Sequence, residues 1–579
     1  MRRAVLLSLA VIAIIGVTSV TGQRAFRAHT DRYEAPKYSS LDVWKSRASY
    51  LREHILTSAG LLPMPEKTPL EPAIFDDTVH PDYIISKVYF QSLPGFLVTG
   101  NLYRPAGNGP FPAILSPHGH WTYGRLENTS TTSGPARAIG LARQGFVVFT
   151  YDMVGYADSQ QLPHTFGGLR ENLWGLSLAG LQLWNGIRAV DFLQTLPYVR
   201  RDGIGATGES GGGTQTFLLA AVDDRIAVAA PVNMISLHMQ GGCLCENAPG
   251  LRLDTTNVEL AATIAPRPLL MVSATGDWTA ETIESEYPAV RSIYALFGAE
   301  DRVHAVRIEA EHNYNKASRE AMYAWMARWL QGAPRDVRVN ERGFTVDPLQ
   351  NLLVFFNRAR PAGTLEAAAL TEQWIAGAKR QLANGPPAAF ATALRHALGY
   401  GSEGEPDAPR PANRDVLVTS KNTELERALA AAGLRSVPIS FRPFDADAAS
   451  KVRHFETYNR TAASQRVADI VAAVRTHPGA TLVADGDAAL AALLASAVVS
   501  APLSILDVAK FDAHSDAAFV EKLYIPGLRR AGDLQTAGLA ARGRLVVHNA
   551  ADAFKIARAD VRSQPLTPRE IAALVRAAR

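Results

Sequence analysis

The chain has 579 residues, and at roughly 150 residues per domain it has room for three or four domains, fewer if one is a large α/β sheet. Hydrophobic residues make up 47% and charged residues 20%, proportions of a globular protein that exclude a disordered or coiled-coil chain. The 59 basic and 55 acidic side chains leave +4 over the whole length, too dilute for nucleic-acid binding, and two cysteines cannot make a disulfide framework.

Arg2 and Arg3 precede the apolar run Ala4 to Val17 and the small, polar stretch Thr18 to Gly22. This is the layout of an export signal over residues 1–22, which predicts a periplasmic or secreted protein. A retained anchor is the rival, because the run is only a little shorter than the roughly 17–25 residues that span a bilayer. No later segment is apolar enough over such a length, so no membrane span is expected once the signal is cut. Residues 23–82 then hold a helix opened by a capping box at Ser39 to Asp42 and stopped by Gly60, followed by a proline strap over Met64 to Pro72.

The catalytic unit is expected over residues 83–333. Tyr83 to Tyr89 and Phe96 to Tyr103, parted by Pro94 and Gly95, read as an antiparallel start to a sheet. Short apolar runs then alternate with helical stretches: strands at Ala113 to Ser116, Phe146 to Tyr151, Gly203 to Thr207, Ile226 to Pro231, Pro268 to Ala274 and Val303 to Glu309. That alternation predicts an α/β fold, a mostly parallel sheet with helices on both faces. Ligands of such sheets sit beyond the carboxyl ends of the strands, so chemistry is sought just after each strand.

The strand ending at Thr207 runs into Gly208, Glu209, Ser210, Gly211, Gly212 and a helix, a G-x-S-x-G nucleophile elbow whose glycines let strand and helix approach closely. The five-residue pattern alone is weak; the strand, turn and helix around it give it weight. A serine nucleophile needs a histidine base, which needs a carboxylate to hold its tautomer. Asp277 and His312 follow the last two strands, in the Ser, Asp, His order of α/β-hydrolases. Competing residues are His238, Asp254, Asp301 and Glu281; His304 belongs at the opposite end of the sheet, and Asp277 could be an ordinary helix cap.

Pro117, His118, Gly119, His120 and Trp121 follow the first parallel strand. His120, with Gly119 next, is the expected oxyanion donor beside the backbone N–H of Gly211. His118 and His120 have an H-x-H spacing that also occurs in metal sites, and Cys243 with Cys245 could be a metal pair. A triad needs no metal or cofactor, and no second histidine pair or acidic cluster accompanies either motif, so no metal and no cofactor are expected and the thiols are read as buried and inert. Trp121, Glu209, Glu246, Arg252 and Trp278 are the candidate substrate contacts, with core packing or an internal ion pair as the competing explanation.

The strap with Gly60, Leu61 and Pro63, the stretch Pro117 to Trp121, the Ser210 elbow, the Cys243 to Arg252 segment and the Asp277 and His312 loops resemble exported bacterial α/β-hydrolases of the acetyl xylan esterase-like type. The resemblance covers about residues 40–331. It implies cofactor-free hydrolysis of a carboxylic ester, with acylated carbohydrate as the substrate class. Prolyl-oligopeptidase-like serine peptidases share the catalytic core, but the roughly 60 residues between signal and first strand are too few for the propeller such peptidases carry. A non-catalytic carbohydrate-binding protein is the third reading.

Residues 334–413 read as a helical connector, Ala367 to Leu398, and a Gly-, Glu- and Pro-rich linker, Gly401 to Asn413. Residues 414–579 read as a degenerate copy of the hydrolase sheet: Ala540 to Asp552 lies over Ala265 to Asp277, and Leu482 to Leu490 over Ile204 to Gly212, which sets Ala488 opposite Ser210. No histidine follows Asp552, so this half cannot complete a triad.

Overall fold

The computed structural model describes residues 26–35, 37–401 and 408–579. The expected export signal, residues 1–22, and the centre of the expected linker lie outside the described residues. No helix among the described residues is long and apolar enough to cross a membrane.

The first sheet has nine strands: β1 (Ala73–Val79), β2 (Tyr83–Leu93), β3 (Phe96–Pro105), β4 (Phe111–Pro117), β5 (Val147–Tyr151), β6 (Val199–Glu209), β7 (Ile226–Val232), β8 (Leu269–Gly276) and β9 (Val303–Glu311). Their order across the sheet is β1-β2-β3-β5-β4-β6-β7-β8-β9. The first three run antiparallel to their neighbours, and from β5 onward every pairing is parallel. This is the α/β-hydrolase fold. β1 follows directly on the expected strap, where no strand was expected, and its alternation of half-buried and exposed residues is that of an edge strand. The central strands are buried on both faces, as their continuous apolar runs require.

Two helix details differ from expectation. The first helix, Leu41–Ser58, is capped by Ser40, whose side chain accepts from the Val43 N–H, and not by Ser39. The connector breaks in two, Ala367–Asn384 and Pro387–Ala397, because Gly385 and Pro386 interrupt the hydrogen-bond ladder.

The second domain holds β10 (Asp415–Val418), β11 (Arg435–Pro438), β12 (Thr481–Asp485), β13 (Leu503–Asp507), β14 (Arg544–His548) and β15 (Ala559–Val561), all parallel, in the order β11-β10-β12-β13-β14-β15. Counted from β10, that is the order of the parallel part of the first sheet counted from β4: second, first, third, fourth, fifth, sixth. β12 therefore corresponds to β6 and β14 to β8, the pairs that the sequence overlay joins. The register moves by two residues, however. β12 ends at Asp485 and its helix starts at Gly486, whose φ of +56° equals that of Ser210, so Gly486 and not Ala488 stands where Ser210 stands in the first domain.

The two domains interlock. Leu173 of the first domain is buried in the core of the second, and Trp374 of the connector is buried in the core of the first. Backbone hydrogen bonds cross the junction from Gly527 N to Asn172 O (2.8 Å), Arg529 N to Leu173 O (3.0 Å), Gly250 N to Glu456 O (2.8 Å) and Arg252 N to Thr457 O (2.9 Å). The segment 249–252, just beyond the cysteines, is thus held by the second domain.

Candidate active site

β6 delivers Ser210 at its carboxyl end with φ +56° and ψ −122°, a conformation that costs a side-chain-bearing residue about 1–3 kcal/mol and is held only where the surroundings enforce it. The surroundings are backbone. A Cβ on Gly208 would lie 2.5 Å from the Pro117 carbonyl oxygen, and one on Gly212 would lie 2.6 Å from the same oxygen and 2.8 Å from that of His118. The two elbow glycines are therefore fixed by the end of β4, against which the turn is pressed. The helix Gly211–Val222 begins immediately, with its first N–H groups open toward the serine.

The register of the last two strands brings the other two residues together. Gly276 of β8 pairs with Glu311 of β9, so the next residues, Asp277 and His312, leave the sheet side by side. His312 Nδ1 lies 2.7 Å from Asp277 Oδ2. The Asp277 side chain is almost fully buried, and its Oδ1 accepts from the backbone N–H of Thr279 (2.7 Å) and from its hydroxyl. A carboxylate so held fixes the imidazole with Nδ1 protonated and leaves the Nε2 lone pair free. The capping bond to Thr279 and the bond to His312 coexist, so the two readings of Asp277 are not exclusive. Ser210 Oγ makes no hydrogen bond to a described residue, a common state of a serine whose partner bond tightens only with substrate.

The competing residues are occupied elsewhere. His238 pairs with Glu281 at 3.0 Å, Asp254 with Arg47 at 2.8 Å, and Asp301 faces Arg328. His304 starts β9, at the far end of the sheet from His312.

Of the expected substrate contacts, the two tryptophans border the histidine: the Trp278 ring centroid lies 4.4 Å and the Trp121 centroid 6.0 Å from that of His312, and both side chains are partly exposed. The three charged residues are corrected by the structure. Glu209 is buried, accepting from Arg137 Nη1 (2.7 Å), Trp121 Nε1 (2.8 Å) and Thr132 Oγ1 (3.2 Å). It positions Trp121 and cannot reach a ligand. Glu246 is buried and its Oε2 accepts from the backbone N–H of Gly242 (2.8 Å) and Cys243 (2.9 Å). Arg252 is wholly buried and donates to Asn257 Oδ1 (2.8 Å) and to the carbonyl of Glu246 (2.8 Å). These two form no ion pair with each other; both shape the 242–252 loop. A cleft of about 360 Å³ between the domains opens beside that loop, bordered by Phe166, Leu244, Asn247, His454 and Glu456.

Beyond β4, His118 and His120 point to different tasks. His118 is buried, its Nε2 accepting from the Met153 N–H at 2.9 Å and its Nδ1 lying 2.7 Å from the Gly119 carbonyl; burial pushes its pKa down to about 3. It ties the end of β4 to the end of β5. The His120 ring lies over Gly211, where an added Cβ would meet its Cε1 at 2.5 Å, and the backbone N–H groups of Gly119 and His120 donate to no described residue.

No second histidine pair was expected beside these motifs, but the fold brings one histidine from the H-x-H stretch and a distant one to the two cysteines. His120, His164, Cys243 and Cys245 each present one donor atom, and the four lie within 4.8 Å of one another. His118 lies outside this group, and His164 lies within it. It lies in the loop after β5, at no motif spacing from the others, and the rule that led to Asp277 and His312, inspection of every strand end, is the signal that could have found it.

Residues 95–286 match the family model described as X-Pro dipeptidyl-peptidase (S15 family), about a third of the chain. YtaP, a protein of Bacillus subtilis (strain 168) named as a hydrolase, is 26% identical over 238 residues, 38% of this chain and 80% of that protein. Among solved structures, the methylesterase BT1017 superposes with a TM-score of 0.51 at 29% identity, covering 59% of this chain and 78% of that one. An acetyl xylan esterase from Paenibacillus sp. R4 is a more distant likeness, with a TM-score of 0.35 at 18% identity over 52% of this chain and 98% of that one.

Proposed function

We propose that the protein is a serine hydrolase of carboxylic esters, exported from the cell, acting on an ester carried by carbohydrate. The observation that supports this most is the His312–Asp277 hydrogen bond at the carboxyl edge of the same sheet that carries the Ser210 elbow. In the reaction His312 Nε2 takes the Ser210 proton as Oγ attacks the ester carbonyl. The oxyanion receives hydrogen bonds from the Gly211 N–H and from the His120 N–H, with Gly119 as the neighbouring donor. Collapse breaks the bond to the alcohol, which leaves with the proton from His312, and Ser210 keeps the acyl group. Water, deprotonated by His312, then releases the acid and restores the serine. Trp121 and Trp278 offer apolar walls beside His312 for a sugar ring. No cofactor enters these steps.

The ester can be read in either direction. An acetyl group on a sugar hydroxyl follows from the sequence resemblance, and the likeness to a methylesterase favours the methyl ester of a sugar acid, in which methanol is the leaving alcohol. Acetate and methanol release from acetylated and methyl-esterified polysaccharides distinguishes them. The S15 match favours a second reading, a peptidase acting after X-Pro. Such an enzyme must pair the ammonium of the substrate's N-terminus, and Glu209 and Glu246, the carboxylates expected near the pocket, are both buried and engaged. A panel of acetyl esters, methyl esters and X-Pro anilides decides between them. Ser210→Ala should lower kcat on the ester by several powers of ten, leaving only binding and the oxyanion hole. Wild-type activity in that variant, or turnover of X-Pro anilides alone, would refute the assignment. Export is tested separately: the mature chain should begin near Gln23.

A further inference from the structure

We propose that His120, His164, Cys243 and Cys245 form a closed, four-ligand site for a thiophilic divalent cation, zinc in the first place, which ties together three loops around the nucleophile. The donor set carries the chemical argument: two thiolates and two imidazoles are a structural zinc set, softer than magnesium or calcium accept. Its geometry fits. A tetrahedron with metal–ligand bonds of about 2.0–2.3 Å places donors roughly 3.3–3.8 Å apart. The four atoms here lie within 4.8 Å of one another, and His120 Nε2 is 3.0 Å from Cys245 Sγ. Shifts of about an ångström bring all four into bonding range.

A second, independent observation is the state of His164. Its Nδ1 lies 2.6 Å from the Val154 carbonyl, which can only accept, so Nδ1 carries the proton and Nε2 carries the lone pair. That Nε2 is buried and has no hydrogen-bond partner. A buried, unpartnered imidazole nitrogen aimed at two thiols is left unsatisfied by the protein alone. The outer shell is also built. Glu246 accepts from the backbone N–H of Gly242 and Cys243 and so fixes the cysteine turn, while the Val154 carbonyl fixes the His164 ring.

The ligands come from the loops after β4, β5 and β7, three carboxyl-end loops of one sheet. Four protein ligands leave no open position, so the cation would not bind water or substrate; its task is to hold the loops. The His120 ring rests on Gly211, so fixing that ring fixes the backbone that flanks the oxyanion position.

The experiment measures metal content of the untagged full-length chain, purified under reducing conditions from zinc-supplemented cells, and repeats it after replacement by cobalt. The expected result is one zinc per chain, with thiolate-to-cobalt charge transfer and the strong visible bands of tetrahedral cobalt in the replaced protein. His164→Ala and Cys243→Ser should each weaken zinc retention against a chelator at least about tenfold. If either variant fails to fold, thiol titration of the wild type decides, with both cysteines protected by zinc and exposed by chelation. A metal-free protein that takes up no zinc on reconstitution overturns the proposal. So does a protein whose two thiols react equally with and without zinc, or one isolated with a Cys243–Cys245 disulfide.

Discussion

Glu209→Gln removes one charge from a pair buried directly beside Ser210. Glu209 and Arg137 are each about 1% exposed, and Arg137 Nη1 meets Glu209 Oε2 at 2.7 Å. The amide can still accept from Trp121 and Thr132, so the loss is specific to the Arg137 bond. The guanidinium retains Ser116 Oγ at 2.9 Å and the Tyr314 ring at 4.5 Å, but neither carries a negative charge. Removing one partner of a buried pair strands the other charge and costs about 3–5 kcal/mol. At roughly 2–4 °C per kcal/mol for a domain of this size, the melting transition should fall by about 6–20 °C. Arg137→Met removes the stranded charge, so the double variant should recover part of the loss, with a coupling energy of at least about 1 kcal/mol. Calorimetry and residual activity after heating, on all four proteins of the cycle, read it. A Glu209→Gln protein that melts within about 2 °C of wild type, or a cycle without coupling, would refute the reasoning.

Asp277→Asn keeps the shape of the site but lets the His312 tautomer invert, and kcat should drop by about 10⁴-fold; a fall of less than tenfold in steady-state ester hydrolysis would remove Asp277 from the mechanism. His118 is held neutral by burial with a pKa of about 3 against 6.5 in the unfolded chain, so its contribution is fully present above pH 6.5 and is lost as pH falls toward 3. At pH 4 that amounts to about 3 kcal/mol, and His118→Asn should flatten the acid limb of denaturation between pH 6.5 and 4; an unchanged slope counts against it. A chain ending near Arg335 uncovers Leu173 and the 249–252 segment, and should lose solubility or activity on polymer before activity on a small ester. Equal solubility and polymer activity in the shortened protein would show that the second domain does not support the first.

What could be read from the sequence was local. The apolar runs set the strands, Gly208 and Gly212 on either side of Ser210 set the elbow because only a residue without Cβ fits against the Pro117 carbonyl, and the order Ser210, Asp277, His312 followed from strand ends. The second sheet was legible for the same reason, though its register was not, since ungapped Ala-rich stretches slide by two residues without changing the pattern. The fates of charged and ligating side chains lay outside the sequence. Glu209 faces Arg137, 72 positions away, and so became a buried partner of Trp121 and not a ligand contact. His164 meets Cys243 and Cys245 only because β5, β4, β6 and β7 lie next to one another in the sheet, which brings loops far apart in the chain to one edge. Periodicity records which face of an element is buried; strand order alone decides which loops share a site.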